Sequence, residues 1–166
     1  MTPAVPAVEL VPAQLHDYPL IEGWLRRPEV QRWWGSLPAA QAAVIAALQT
    51  PAGLCSIVTV NGTPAGYIQA EEAQAGLISA PVEPGAYRLD AFIGEPRLRG
   101  QGVGRTALEL ASREVFETTL ALSLVTVVSI RNEAAVRLFE RAGFTWKRVL
   151  EDPLLGPCWL MVRPRR

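Results

Sequence analysis

The sequence predicts a single mixed α/β domain that spans residues 1–166. The length of 166 residues suits one domain, and no internal repeat or linker divides the chain. Hydrophobic residues make up 49% and charged residues 19%, which is the composition of a chain with a packed core. Short apolar runs alternate with segments of helical periodicity, so we expect strands and helices to share that core.

The N-terminal part is predicted to be a strand followed by helices. Asp17 is a candidate N-cap, and four apolar residues between 20 and 25 share one side of the helix that follows it. Proline is favoured in the first turn of a helix, so Pro28 and Pro38 mark two further helix starts. The predicted elements are a strand at 8–11, a helix at 17–27, a short helix from Pro28 and an Ala-rich helix at 38–48.

A β-hairpin is the clearest local prediction in the middle of the chain. Asn61-Gly62 favours a tight turn, and strand-like runs flank it at 56–60 and 65–70. A Pro/Gly-rich stretch at 76–85 predicts a loop, and 87–93 predicts the next strand. A segment rich in Gly and Arg follows at 94–104.

The C-terminal half predicts two helices and three strands. Residues 122–130 form a continuous apolar, β-branched run, which is typical of a strand buried on both faces. Asn132 can cap the helix after it, with Gly143 in the C′ position. The predicted elements are helices at 106–118 and 132–142 and strands at 122–130, 144–150 and 158–162, the last two around a turn at 152–157.

Charge and composition exclude several classes of function. Sixteen basic residues balance sixteen acidic ones, so the chain lacks the excess positive charge of a protein that binds nucleic acid or an acidic membrane. Two distant cysteines, Cys55 and Cys158, and one histidine, His16, argue against a metal site. We see no secretory signal, and the run at 120–130 is too short to span a bilayer. The expectation is a cytoplasmic protein without a metal.

The segment RLRGQGVG at 97–104 is the first candidate binding motif. Its glycines permit close approach of the backbone to a ligand, and the following helix N-terminus offers unpaired N–H groups that suit a pyrophosphate. The run is neither a Walker loop nor a dinucleotide fingerprint. By itself it is also compatible with a glycine-rich turn that binds nothing.

A second motif, N-x-x-A-x-x-x-F-x-x-x-G-F at 132–144, favours a binding loop over a turn that binds nothing. Together the two motifs resemble the acetyl-CoA-binding core of the GNAT family of N-acetyltransferases, over about 89–144. The resemblance implies a mixed, mostly antiparallel sheet of about seven strands and about four helices, splayed between the fourth and fifth strands. It implies acetyl-CoA as co-substrate. The residues that would hold it lie in the strand at 87–93, in and just after the motif at 97–104, and in the helix at 132–142: Phe92, Ile93, Arg99, Gly100, Gln101, Gly102, Val103, Gly104, Arg105, Asn132, Ala135 and Phe139.

A narrower resemblance covers most of the chain. Glu29-x-x-x-Trp33-Trp34-Gly35, the run N-G-x-P-x-G-Y-x-Q at 61–69, Asp90 and Gly156-Pro157 are similar to the aminoglycoside 6′-N-acetyltransferase branch. Parts of the same pattern occur in relatives that acylate hydroxylysine during siderophore assembly. The resemblance implies a small amine as the acceptor.

Acetyl transfer to an amine requires a neutral nitrogen nucleophile and a polarised thioester carbonyl. An alkyl amine titrates near ~10.4, so its deprotonation at pH 7 costs about 4–5 kcal/mol. Asp90 matches the active-site aspartate of the branch and is the candidate base. It could instead hold the ammonium while water takes the proton, or be an exposed strand residue. A backbone N–H of Phe92 or Ile93 is the candidate donor to the thioester oxygen.

Phe139 departs from the family pattern. Many members carry a tyrosine there, whose hydroxyl is assigned as the acid that protonates the departing thiolate. Phenylalanine has no such proton, so water, Tyr87 or Tyr67 would have to replace it, or turnover is weak. A thiol titrates near ~8.5, so the thiolate needs little help to leave.

The acceptor site is predicted to combine carboxylates with tryptophan faces, which suits a polyamine-like cation. Trp33 is alternatively a core residue. If Glu71 and Glu72 lie in a strand, one of them must point away. The predicted residues are Trp33, Trp34, Gln69, Glu71, Glu72, Asp90 and Asp152.

The leading functional hypothesis is acetyl transfer from acetyl-CoA to a small polycationic amine, with an aminoglycoside as the first candidate. N-acylation of a hydroxylysine-like siderophore precursor or another small amine is the second hypothesis. A non-catalytic acyl-CoA-binding module is the third, motivated by Phe139, and a peptide acceptor is also compatible. The expected partner is a small-molecule amine, with no nucleic acid or membrane, and the protein is expected to be a monomer or homodimer.

Overall fold

A computed structural model describes residues 5–50, 53–73 and 82–166. Seven strands form one mixed sheet in the order β1-β2-β3-β4-β5-β7-β6. Every neighbouring pair is antiparallel except β4 and β5, which are parallel. The strands are β1 Val8–Pro12, β2 Leu54–Val60, β3 Thr63–Glu72, β4 Ala86–Ile93, β5 Ser123–Ser129, β6 Thr145–Asp152 and β7 Gly156–Pro164.

Five α-helices cover this sheet in the described part of the chain, against the roughly four expected. They are α1 Tyr18–Leu25, α2 Pro28–Gln31, α3 Leu37–Gln49, α4 Val103–Thr118 and α5 Glu133–Arg141, and α2 is a single turn. Ser36 caps α3 by accepting the N–H of Ala39 at 3.3 Å. Asp17 is the N-cap residue of α1, as predicted, but its side chain accepts the N–H of Gln14 rather than an N–H of that helix. It thereby closes the short 3₁₀ turn at Leu15–Asp17.

The two faces of the sheet bury separate cores because strand side chains alternate. Ile68, Leu89 and Leu124 are fully buried on the face covered by α4 and α5. Tyr67 and Ile57 point to the opposite face and pack with α1, α2 and α3. Any polar residue in β3 or β4 therefore belongs to one of these two sides.

The strands β4 and β5 separate partway along their length. They pair only at three positions, Ala86↔Ser123, Tyr87↔Leu124 and Arg88↔Val125. Beyond Arg88, β4 remains paired with β3, and β5 remains paired with β7. The predicted splay between the fourth and fifth strands is therefore present, and the unpaired half of β4 forms one of its walls.

The predicted loop at 76–85 lies mostly outside the described residues, and Pro84 and Gly85 form a turn before β4. None of the helices in the described ranges has the length and apolar character needed to cross a membrane. The described residues also contain no group of three or more His, Cys, Asp or Glu side chains placed to hold a metal ion.

Candidate active site

The glycine loop leads directly into α4, three residues earlier than the sequence predicted. Gly102 is the N-cap with φ +81°, and Gly100 has φ +76°. Both are open to space, since a Cβ at either would meet no atom within 4 Å. The left-handed backbone, rather than crowding, therefore requires glycine here. Because the first four N–H groups of a helix lack intrahelical partners, α4 presents donors at this loop.

Two side chains of the glycine loop form hydrogen bonds with nearby backbone carbonyls. The Arg99 guanidinium donates to the carbonyl of Ile93 at 2.9 Å, and Gln101 Nε2 donates to the carbonyl of Arg97 at 2.8 Å. Arg105 is exposed and pairs with Glu109. The loop is thus tied to the end of β4, and what it offers an anion is chiefly the start of α4.

Residues on α4 and α5 fix the distance between these two helices. A Cβ on Gly104 would lie 3.0 Å from Cδ2 of Leu138, so the absent side chain permits close packing. Val103 is buried. Asn132 caps α5 by accepting the N–H of Ala135 at 3.3 Å, as predicted.

Phe139 lies in the core on the side of the sheet covered by α4 and α5. Its ring packs edge-on against Phe144 with centroids 5.1 Å apart, and 6% of it is exposed. Of the two tyrosines predicted as substitutes for that acid, Tyr67 has its proton engaged elsewhere, and Tyr87 stays a candidate on the same side of the sheet as Phe139. Tyr67 is buried and donates its proton to Gln69 Oε1 at 2.7 Å, and Tyr87 packs against the core on the α4 side of the sheet.

The backbone of β4 distinguishes the two candidate donors to the thioester. Gly94 N–H bonds to Ala65 in β3, whereas the Ile93 carbonyl faces away and accepts from Arg99. Peptide groups of successive strand residues alternate in direction. The N–H of Ile93 therefore faces the splay, and the N–H of Phe92 faces β3.

Cross-strand register brings the predicted acceptor residues of β3 and β4 together. Gln69 lies opposite Asp90, and Glu71 lies opposite Arg88, all four on the side covered by α1 to α3. Arg88 Nε donates to Asp90 Oδ2 at 3.0 Å. Glu72 was also predicted here, but alternation places it on the other face of β3, where it is exposed.

Arg88 was missed from the sequence. Its spacing of two residues from Asp90 within a predicted strand was the available signal, because i and i+2 share a face. Burial and the charge of Asp90 raise the pKa of Glu71, while Arg88 opposes this shift. The pKa of Arg88 is itself raised, first by Asp90 and less by Glu71 and Asp152. Asp90 is thus hydrogen-bonded to Arg88, Glu71 lies opposite Arg88 in the neighbouring strand, and the charge of Asp152 also acts on the guanidinium.

The side chain of Gln69 is oriented by a hydrogen bond from Tyr67, which in turn contacts Cys55. The amide is 3% exposed, and its Oε1 accepts the Tyr67 hydroxyl. That hydroxyl also contacts Cys55 Sγ at 3.0 Å. The pKa of Tyr67 is held far above its usual range, mainly by burial and less by Cys55 and Asp90. The phenol therefore stays a neutral donor. The amide carbonyl of Gln69 is therefore fixed toward Tyr67.

The two tryptophans have different positions. Trp34 is partly buried and packs edge-on against Phe92, with ring centroids 5.1 Å apart, at the border of the core that α1 to α3 form with the sheet. Trp33 carries the Arg32 guanidinium 4.6 Å from its ring centroid. It lines a surface cleft of about 170 Å³ whose other walls come from the ends of α2 and β5 and the β6–β7 turn: Arg32, Ser129, Arg131, Leu154 and Leu155.

Asp152 is the last residue of β6 and starts the turn to β7. Its Oδ1 accepts the N–H groups of Leu154 and Leu155 at 2.9 and 2.8 Å. The carboxylate thereby shapes the turn beside Trp33, and its charge acts on Arg88 across the splay.

Comparisons with known proteins agree with this geometry. The acetyltransferase (GNAT) domain family matches residues 14–151. Aminoglycoside N(6′)-acetyltransferases type 1 from Klebsiella pneumoniae and Serratia marcescens are each 27% identical over 161 residues, which is 91% of this chain and 80% of the relative.

Solved structures of aminoglycoside acetyltransferase AAC(6′)-Ib have the same fold. The complex with paromomycin and acetyl-CoA superposes with a TM-score of 0.80 at 25% identity, covering 96% of this chain and 94% of that one. The complex with coenzyme A and kanamycin gives a TM-score of 0.80, 25% identity and coverages of 96% and 95%.

The predicted fold, the N-acetyltransferase class and acetyl-CoA as co-substrate are confirmed. The chain belongs to the GNAT family of acetyltransferases.

Proposed function

We propose that this acetyltransferase transfers an acetyl group to a primary amine of a small polycationic acceptor, with an aminoglycoside as the leading candidate. The observation that carries the proposal is the position of Asp90 on β4, just beyond the last β4–β5 pair. There a carboxylate adjoins the opening that leads to the glycine loop. Similarity to the aminoglycoside 6′-N-acetyltransferases over most of the chain supports the acceptor class.

Each step has a candidate group in this arrangement. Acetyl-CoA would lie along the free side of β4, with its pyrophosphate at the start of α4. The Ile93 N–H is the proposed donor to the thioester oxygen, where a preorganised donor is worth a few kcal/mol. Asp90 would pair with the acceptor ammonium and take one proton, which frees the nitrogen lone pair to attack the carbonyl carbon. The second nitrogen proton passes to water as the tetrahedral intermediate collapses. The thiolate of coenzyme A then leaves and takes a proton from water, given Phe139.

Carboxylates near Asp90 favour a cationic acceptor. Glu71 and Asp152 both act on Arg88 and lie on the acceptor side. Together with Asp90 they are three carboxylates that act on the Arg88 guanidinium, so these four groups carry a net negative charge when all are ionised. A second ammonium group of the acceptor is therefore stabilised beside the reacting one.

A second candidate acceptor is an amine that also carries a carboxylate, such as hydroxylysine. Arg32 and Arg131 line the cleft beside Trp33. Among the described residues, neither guanidinium forms an ion pair with a carboxylate. An acceptor carboxylate could bind there while its amine reaches toward Asp90.

Release of coenzyme A, measured with an acceptor panel, tests the proposal. The panel contains kanamycin, spermidine, hydroxylysine and a lysine-containing peptide. We expect kanamycin to have the highest kcat/KM, by about ten-fold or more over hydroxylysine and the peptide. A preference for hydroxylysine would support the second candidate, and release no faster than acetyl-CoA hydrolysis with every acceptor would contradict both.

Replacing Phe139 by Tyr tests the missing acid. The thiolate needs little help to leave, so an added hydroxyl should leave kcat within a few-fold of the wild-type value or raise it. The ring of Phe139 packs against Phe144, and that contact should persist in the variant. The measurement is kcat at saturating acetyl-CoA, together with acetyl-CoA affinity by calorimetry. A large loss of kcat with unchanged affinity would mean that Phe139 has another role.

A further inference from the structure

Arg88 occupies the point at which β4 and β5 separate. It is the last residue of β4 to pair with β5, and Asp90 follows on the same face. The Arg88 Nε and the Asp90 Oδ2 are 3.0 Å apart, with 26% and 21% of the two side chains exposed. A guanidinium thus contacts the carboxylate that we assign to the acceptor amine, an assignment on which the following inference rests.

This placement is unexpected in a site for a polycation. A permanent positive charge repels every ammonium group that approaches, and partial burial weakens the screening by water. Glu71 on β3 and Asp152 at the end of β6 offset the charge of Arg88 in part. A site with this arrangement favours an acceptor with few ammonium groups held in a defined position.

We propose that Arg88 is a positioning and specificity-determining residue for acetyl transfer. Its hydrogen bond holds Oδ2 of Asp90, which leaves Oδ1 to receive the acceptor amine. Its charge lowers the affinity of the site for acceptors with several ammonium groups relative to acceptors with one.

Two physical effects follow from removing this group. Without the hydrogen bond, the Asp90 carboxylate samples other rotamers, and a misplaced base lowers the rate of the chemical step. Without the charge, the surrounding carboxylates act unopposed, so a polycation binds more tightly while a monoamine gains less. A lower kcat together with a lower KM for the polycation is therefore the signature of the proposed role.

A purely structural role would give a different result. If Arg88 only joins the two strands at the splay, its loss lowers the melting temperature and affects all acceptors alike. Relative KM values for acceptors of different charge would then stay constant.

The experiment compares Arg88→Met, Arg88→Lys and the control Arg26→Met with kanamycin and a monoamino sugar as acceptors. Arg26 also pairs with a carboxylate, Glu22, but on the exposed side of α1. For Arg88→Met we expect kcat to fall about ten-fold and the ratio of KM for kanamycin to KM for the monoamine to fall at least about three-fold. Arg88→Lys should keep the wild-type KM ratio with a reduced kcat, and Arg26→Met should match the wild type.

An unchanged KM ratio in Arg88→Met would overturn the charge role, and a wild-type kcat in Arg88→Lys would overturn the positioning role. If Arg88→Met fails to fold, Arg88→Lys and an Arg88→Gln variant carry the same comparison. If the wild-type enzyme acetylates neither acceptor, the proposed function fails separately. Calorimetry of kanamycin and the monoamine on the coenzyme A complex then measures the charge preference, and an equal preference in wild type and Arg88→Gln would overturn the inference.

Discussion

The variant Asp90→Asn is expected to lose about 10²–10⁴-fold in kcat/KM, since a positioned general base contributes that much. The amide keeps the shape of the side chain and can still accept from Arg88, but it neither takes the amine proton nor pairs with an ammonium group. Acetyl-CoA affinity should hardly change, because the coenzyme is proposed to contact β4 through its backbone. Steady-state kinetics and calorimetry measure the two quantities.

A matched control is Glu9→Gln, which makes the same carboxylate-to-amide change in a strand of the same sheet. Glu9 is exposed on β1, two strands away from β3 and far from the splay. We expect it to keep wild-type kinetics. If Asp90→Asn retains more than about a third of the wild-type kcat/KM, Asp90 is neither base nor anchor. The reaction would then depend on positioning of an amine that arrives neutral.

The second large effect is expected from Gly102→Asp, which should lower acetyl-CoA affinity at least about ten-fold. The substitution puts a negative charge at the N-cap of α4, in the proposed path of the pyrophosphate. Aspartate tolerates the left-handed backbone at φ +81° better than most residues with a side chain, but it is still strained there. The melting temperature should therefore fall, and the loss of affinity is judged against a variant that carries the same strain.

Gly102→Asn separates charge from backbone strain, since it has the same size and a similar tolerance of positive φ. Its affinity for acetyl-CoA should lie between those of the wild type and Gly102→Asp. Equal affinities for all three proteins by calorimetry would remove the glycine loop from the binding site.

Local signals in the sequence were sufficient to predict most elements of the fold. The Asn61-Gly62 turn and the apolar run before Asn132 each depend on contacts between near neighbours, and the corresponding elements lie within a few residues of their predicted positions. The start of α4 was predicted late because Val103 and Gly104 follow a glycine that resembles a loop residue. Only the φ of Gly102 shows that the helix begins there.

The acceptor side could be predicted only in part because it depends on register between distant strands. Sequence alone could not decide between Glu71 and Glu72, since a shift of one residue exchanges the faces of a strand. The pairing of Gln69 with Asp90, and the approach of Asp152 to Arg88, join segments more than twenty residues apart. Such contacts leave no local pattern.

A crystal structure of the protein with coenzyme A and kanamycin tests the central claim most directly. The account predicts the pantetheine arm between β4 and β5, the pyrophosphate at the N-terminus of α4, and one acceptor amine within hydrogen-bond distance of Asp90. The sulfur of coenzyme A should lie beside the N–H of Ile93. Coenzyme A bound away from the splay, or every acceptor amine beyond hydrogen-bond reach of Asp90 and its bound waters, would contradict the account.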